Sequence, residues 1–157
     1  MAKLSANGQA VAIVPRPGQE TDIAKTPYSA YNAARLVGDY AILTNGSHTD
    51  PVSEKIAMNY PVRDTIALSL LAMDYEKDDY NTPRIVAIAN LKTMTGYLGA
   101  VRHDGLDVRA FELKPGKVVH LSTYEHNTPT VHYPGDFSAN ISEEACDFAP
   151  SGGDLRC

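Results

Sequence analysis

The stretch Pro61–Arg84, PVRDTIALSLLAMDYEKDDYNTPR, sets the reading of the whole chain. Val62, Ile66, Leu70 and Met73 recur at helical spacing, Pro61 suits a first helical position, and Asn81-Thr82-Pro83 signals a turn. A buried helix therefore runs out into a cluster of acid: Asp74, Glu76, Asp78 and Asp79. Anions are disfavoured at the negative end of a helix dipole, and like charges at this density oppose ionisation. One carboxyl can then keep its proton near neutral pH and serve as a general acid. The competing reading is a solvated, acidic helix exit, because structural acid clusters shift pKa values too. Residues two apart on a helix do not face each other, so Asp74 and Glu76 can share a site only if the helix has stopped by about Met73.

Downstream, Arg84 to Asn90 carries Ile-Val-Ala-Ile-Ala with no polar face, the pattern of a central strand covered on both sides. Arg84 enters that strand beside the acid. It either neutralises the carboxylates or binds a substrate phosphate bidentately. Gly96 to Val101, Leu106 to Leu113 and Lys117 to Tyr124 read as three further strands of a meander, with turns at His103-Asp104-Gly105 and Lys114-Pro115-Gly116. Leu106, Val108 and Ala110 share one phase that Phe111 and Leu113 reverse, which predicts a bulge near Ala110. Glu125 to Ser138 reads as a loop, and Ser142 to Phe148 as a short capped helix.

Upstream, Ala33 to Leu43 reads as a hairpin about a Gly38-Asp39 turn, and Gln9 to Pro15 as a short strand buried on both faces. Tyr31 stands at the mouth of the hairpin, a position usual for a packing tyrosine. Asn45-Gly46-Ser47-His48-Thr49-Asp50 leads into a helix from Pro51 to Met58, with Asp50 or Thr49 expected as N-cap and Pro51 at the first position. Small residues, hydroxyls and free N–H groups at a helix start suit a phosphate, and equally an ordinary capped loop.

Three segments carry a family resemblance: Pro27-Tyr28-Ser29-Ala30-Tyr31-Asn32, Asn45 to Asp50, and Ser69 to Asp78 followed by Asn81-Thr82-Pro83-Arg84-Ile85. Together they closely resemble the archaeal-type IMP cyclohydrolases, which close the last ring in purine synthesis. The likeness runs from about Gln9 to Phe148 and is shortened at both ends, where family members usually carry an upstream arginine and a further strand. It implies an α+β fold, a four-layered αββα sandwich resembling the N-terminal nucleophile hydrolases, formed as one domain over residues 1–157. The implied reaction is dehydrating closure of 5-formamidoimidazole-4-carboxamide ribonucleotide to IMP, with no cofactor. The implied catalytic residues are Tyr31, Asp74 and Glu76. The implied substrate contacts are Asn32, Asn45, Ser47, His48, Thr49 and Arg84. A reading from another class keeps the scaffold for a non-catalytic purine-nucleotide-binding or assembly protein.

Composition narrows the rest. Fourteen Lys and Arg against nineteen Asp and Glu give a formal charge of -5 with no basic run, which argues against a nucleic-acid partner. No apolar run approaches a membrane span and the N-terminus has no signal-peptide core, so a cytoplasmic protein is expected. The five histidines lack metal-ligand spacing, and Cys146 and Cys157 lack Cys-x-x-Cys spacing; neither a metal nor a structural disulfide is expected. An uncovered sheet edge makes a homo-oligomer the expected assembly.

Overall fold

The computed structural model describes residues 1–18, 30–123 and 130–132. Seven strands form one antiparallel sheet in chain order: β1 (Ala2–Leu4), β2 (Ala10–Ile13), β3 (Tyr31–Val37), β4 (Tyr40–Thr44), β5 (Arg84–Asn90), β6 (Thr95–Arg102) and β7 (Gly105–Glu112). Two helices, α1 (Thr49–Ala57) and α2 (Val62–Met73), are inserted between β4 and β5. The protein is thus α+β, an antiparallel sheet with both helices on one face.

The helical face is the core. Ile42, Val86, Ile88 and Val101 from the sheet meet Val52 and Ile56 of α1 and Val62, Ile66 and Leu70 of α2. The pairings Ile42↔Ile88 and Arg84↔Val101 put these strand residues on one side of the pleat. Glycine is required where α2 crosses β6: a Cβ at Gly99 would stand 2.3 Å from the methyl of Ile66, itself fully buried. The apolar stripe read along Pro61–Met73 is the stripe that packs, with Pro61 as N-cap rather than first helical residue.

The other face of the sheet is apolar as well, but less covered. Val11, Ala34 and Leu43 line two adjoining cavities there, of about 260 and 480 Å³. Leu36 and Leu43 remain about half exposed. For this reason β2 and the alternate residues Ile85 and Ala87 of β5 are only partly buried, against the expectation of strands covered on both sides.

Several local readings change. The β6–β7 register runs unbroken from Thr95↔Glu112 to Arg102↔Gly105, so there is no bulge at Ala110. The phase reversal has another cause: the ring of Phe111 lies over Gly96, on the face away from the helices, where a Cβ would come within 2.4 Å of it. The register shift falls instead between Val11 and Ala12, opposite β3. The meander also ends at β7. The next strand, β8 (Val118–His120), pairs with β9 (Thr130–His132) in a separate two-stranded ladder. Strand β1 adds an exposed edge beside β2 that sequence patterning did not suggest. Residues 27–29, the Ser142–Phe148 helix and both cysteines lie outside the described residues, as does all of the 125–138 loop except 130–132.

Candidate active site at one end of the sheet

Antiparallel register gathers the candidate residues. Strand β3 begins at Tyr31, β4 ends at Thr44, β5 begins at Arg84, and the pairs Ala34↔Leu43 and Thr44↔Val86 bring these three ends together. Helix α1 starts from the same end at Thr49, and α2 delivers Asp74 and Glu76 to the segment that enters β5.

Helix α2 stops at Met73, so Asp74-Tyr75-Glu76 is non-helical, the condition for the two carboxylates to share a site. Asp74 turns the chain with φ 57 and ψ 176, a region nearly reserved for glycine and costing roughly 1–3 kcal/mol. Its own carboxylate braces the turn: Tyr75 N–H donates to Oδ1 at 2.9 Å, and Lys77 Nζ pairs with Oδ2 at 3.2 Å. These contacts hold the Asp74 carboxyl below the usual carboxylate range, the Tyr75 amide first and Lys77 next. Asp78 is held down likewise, by the Thr82 hydroxyl and amide first and by the Tyr80 amide as well. Neither is therefore the proton-carrying acid that charge crowding suggested; donors placed on each carboxylate outweigh repulsion between them. Asp78 is instead the staple of the loop between α2 and β5. The Asp-x-Tyr-x-Thr spacing ahead of Pro83 was the available signal for that role.

Glu76 points inward. Its Oε1 accepts from Arg84 Nη1 at 3.1 Å, with side chains 19% and 7% exposed. Its amide donates to Thr82 O at 2.8 Å, closing the loop. The buried cation is thus fixed by a carboxylate that keeps some access to solvent.

The Asn45–Thr49 loop is built mainly by inward contacts. Asn45 Nδ2 donates to Pro83 O at 2.8 Å, and its Oδ1 accepts from Ile85 N–H at 2.9 Å. The Thr44 and Thr49 hydroxyls hydrogen-bond to each other at 2.6 Å, and both lie within reach of Gly46 O, at 2.8 and 3.2 Å, so one donates to the other and the second to that carbonyl. Helix α1 consequently begins at Thr49 with His48 as N-cap, two residues earlier than Pro51 suggested. Gly46 keeps this approach close: a Cβ would sit 3.0 Å from Arg84 Nη1 and 3.3 Å from His48 Nδ1, so a larger residue would require both side chains to give by a few tenths of an ångström. Ser47 stays partly exposed, whereas His48 and Thr49 have no exposed surface.

His48 Nε2 lies 2.8 Å from Ile85 O and donates to it. Burial pushes its pKa down to about 4, against the hydrogen bond to Ile85 and with help from Arg84. The unfolded chain takes up a proton near 6.5 that the folded one refuses until about 4. Stability should therefore fall as the pH drops between these values, by up to about 3 kcal/mol at 1.36 kcal/mol per pKa unit. Asp74 and Asp78 act in a lower window, since their contribution is present above the ordinary value of 3.8 and lost as pH falls below it. Urea denaturation from pH 7 to 4.5 checks this, with His48→Asn expected to remove most of the slope.

Tyr31 and Asn32 leave opposite faces of β3. Asn32 Nδ2 donates to Asp50 Oδ1 at 2.9 Å, and Arg35 Nη1 reaches the same oxygen at 3.0 Å. Tyr31 pairs with Ile13 and is partly exposed on the other face. No hydrogen bond among the described residues joins it to Asp74 or Glu76. The larger apolar cavity opens on that face and is lined by Thr44, Asn45, Ile85 and Leu121 among others. No group of three or more metal-ligating side chains gathers among the described residues, and none of their helices is long and apolar enough to cross a membrane.

These features define an α+β protein with a carboxylate–guanidinium centre at one end of an antiparallel sheet. Residues 2–151 match the family described as IMP cyclohydrolase-like protein, and the chain belongs to that family. It is 48% identical over 147 residues to the IMP cyclohydrolase of Methanosphaera stadtmanae, covering 94% of this chain and 70% of that one. To the IMP cyclohydrolase of Methanococcus maripaludis strain C7 it is 44% identical, covering 88% and 67%. To that of Methanocella arvoryzae it is 49% identical over 115 residues, covering 73% and 55%.

Proposed function

We infer that this protein is an IMP cyclohydrolase of purine biosynthesis. The observation that carries the reading is its identity of 48% and 44% to relatives of that name over about nine-tenths of the chain. The substrate is then a purine-precursor ribonucleotide bearing a carboxamide and a formamide. The carboxamide nitrogen attacks the formyl carbon and gives up a proton while the formyl oxygen gains one; the resulting hydroxyl takes a second proton and leaves as water as the formamide nitrogen loses its hydrogen and the ring C=N bond forms. A carboxamide nitrogen is a weak nucleophile, so positioning and proton transfer supply the rate.

Tyr31 donates to the developing oxyanion, Glu76 exchanges protons during closure and water loss, and Asp74, held ionised, orients the carboxamide. Arg84 and Ser47 face the nucleotide, Asn32 flanks it, and the Asn45–Thr49 loop frames it. Within that loop His48 and Thr49 act from beneath, since both are fully buried. The apolar second face of the sheet supports a second sheet packed on it, the αββα arrangement of the resemblance. The reading extends to a single-domain cytoplasmic enzyme that self-associates, and the exposed β1 edge supports self-association.

A purine-nucleotide-binding protein without turnover is the second reading. The internal pairing of Arg84 with Glu76 favours it, because that contact occupies both groups. Conversion of the formylated ribonucleotide to IMP, followed by ultraviolet absorbance, separates the two.

A further inference from the structure

We propose that Asn45 is a positioning residue that acts on the reaction through Arg84. The inference rests on the cyclohydrolase reading and adds how the cationic side of the site is aimed. The Asn45 carboxamide bonds to the backbone on both sides of Arg84, donating to Pro83 O at 2.8 Å and accepting from Ile85 N–H at 2.9 Å. His48 takes a third backbone group of the same segment, Ile85 O, at 2.8 Å. One loop thus holds the strand entrance at three points, and Gly46 lets it pass directly beneath the guanidinium.

The clamp matters because Arg84 enters β5 from a loop whose other constraints lie on the far side. Glu76 bonds to Thr82 O, and Asp78 bonds to Thr82 N–H and its hydroxyl. Without Asn45 the Pro83–Ile85 backbone keeps its β6 pairing at Arg84↔Val101 and the His48 bond to Ile85 O but loses both side-chain bonds that flank Arg84, so a small shift of the strand entrance carries the guanidinium and the paired Glu76 with it. A displacement of about 1 Å at a reacting group costs on the order of 100-fold in rate. A direct substrate contact would behave differently: its loss would raise KM independently of Arg84.

The test is a double-mutant cycle on turnover with Asn45→Ala, Arg84→Met and the pair, each variant assayed below its own melting temperature. Asn45→Ala is expected to lower kcat by roughly 10- to 100-fold through the displaced Glu76, with a rise in KM from the displaced Arg84, and to add almost nothing in the Arg84→Met background. Additive losses, or a loss confined to KM, overturn the proposal. Should Asn45→Ala not fold, Asn45→Asp keeps the acceptor for Ile85 N–H while replacing the donor to Pro83 O and Thr123 Oγ1 by a charged oxygen. It should show the same lack of additivity, and additivity there overturns the proposal equally. Absence of wild-type turnover would instead count against the cyclohydrolase reading itself.

Discussion

Glu76→Gln should lower kcat by about 100- to 10,000-fold, the range for losing a positioned acid–base group, while the protein remains folded. The amide keeps an oxygen for Arg84 Nη1 but can neither take nor give the proton that closure and water loss require. It also takes from the buried guanidinium the one carboxylate in ion-pair contact with it among the described residues. The desolvated cation then rests on one neutral hydrogen bond, so unfolding free energy should fall by about 2 kcal/mol. Stopped assays and urea denaturation of the same preparation check both parts. Unchanged turnover with lowered stability would reduce Glu76 to a structural partner of Arg84.

Tyr31→Phe is expected to separate chemistry from stability more cleanly. The ring sits partly exposed at the start of β3, and its hydroxyl makes no hydrogen bond with the described residues. Its removal should therefore leave the denaturation midpoint nearly unchanged. Loss of one oxyanion donor typically costs about 100- to 1,000-fold in kcat, and a loss of that size is the expected result. Equal kcat with raised KM would make Tyr31 a binding residue only.

The legible parts of this fold are those whose signals are local. Helix α2 announces itself because Val62, Ile66 and Leu70 recur on one stripe, and the β3–β4 hairpin because Gly38-Asp39 punctuates two apolar runs. The end of α2 near Met73 was legible only as the condition for Asp74 and Glu76 to share a site, and the helix meets that condition. Strand β1 was not legible, because its three exposed residues have no alternation to detect. Phe111 misled because it packs over Gly96 on the second face rather than marking a bulge.

The site divides in the same way. Tyr31, Asp74 and Glu76 stand out as chemistry-bearing residues within segments of recognisable pattern. The roles of Asn45 and His48 depend on bonds to residues 37 to 40 positions away, which no local spacing reveals. Sequence also could not show whether Arg84 neutralises acid or meets substrate. The structure shows the first contact, and the proposed mechanism adds the second.

The most direct measurement is the ultraviolet change when the formylated ribonucleotide is added to purified protein with a chelator present, alongside the Glu76→Gln control. Saturable IMP formation that the control loses is the predicted result. No IMP formation by wild-type protein, with a melting temperature raised by IMP, would contradict it and leave a nucleotide-binding protein on this scaffold.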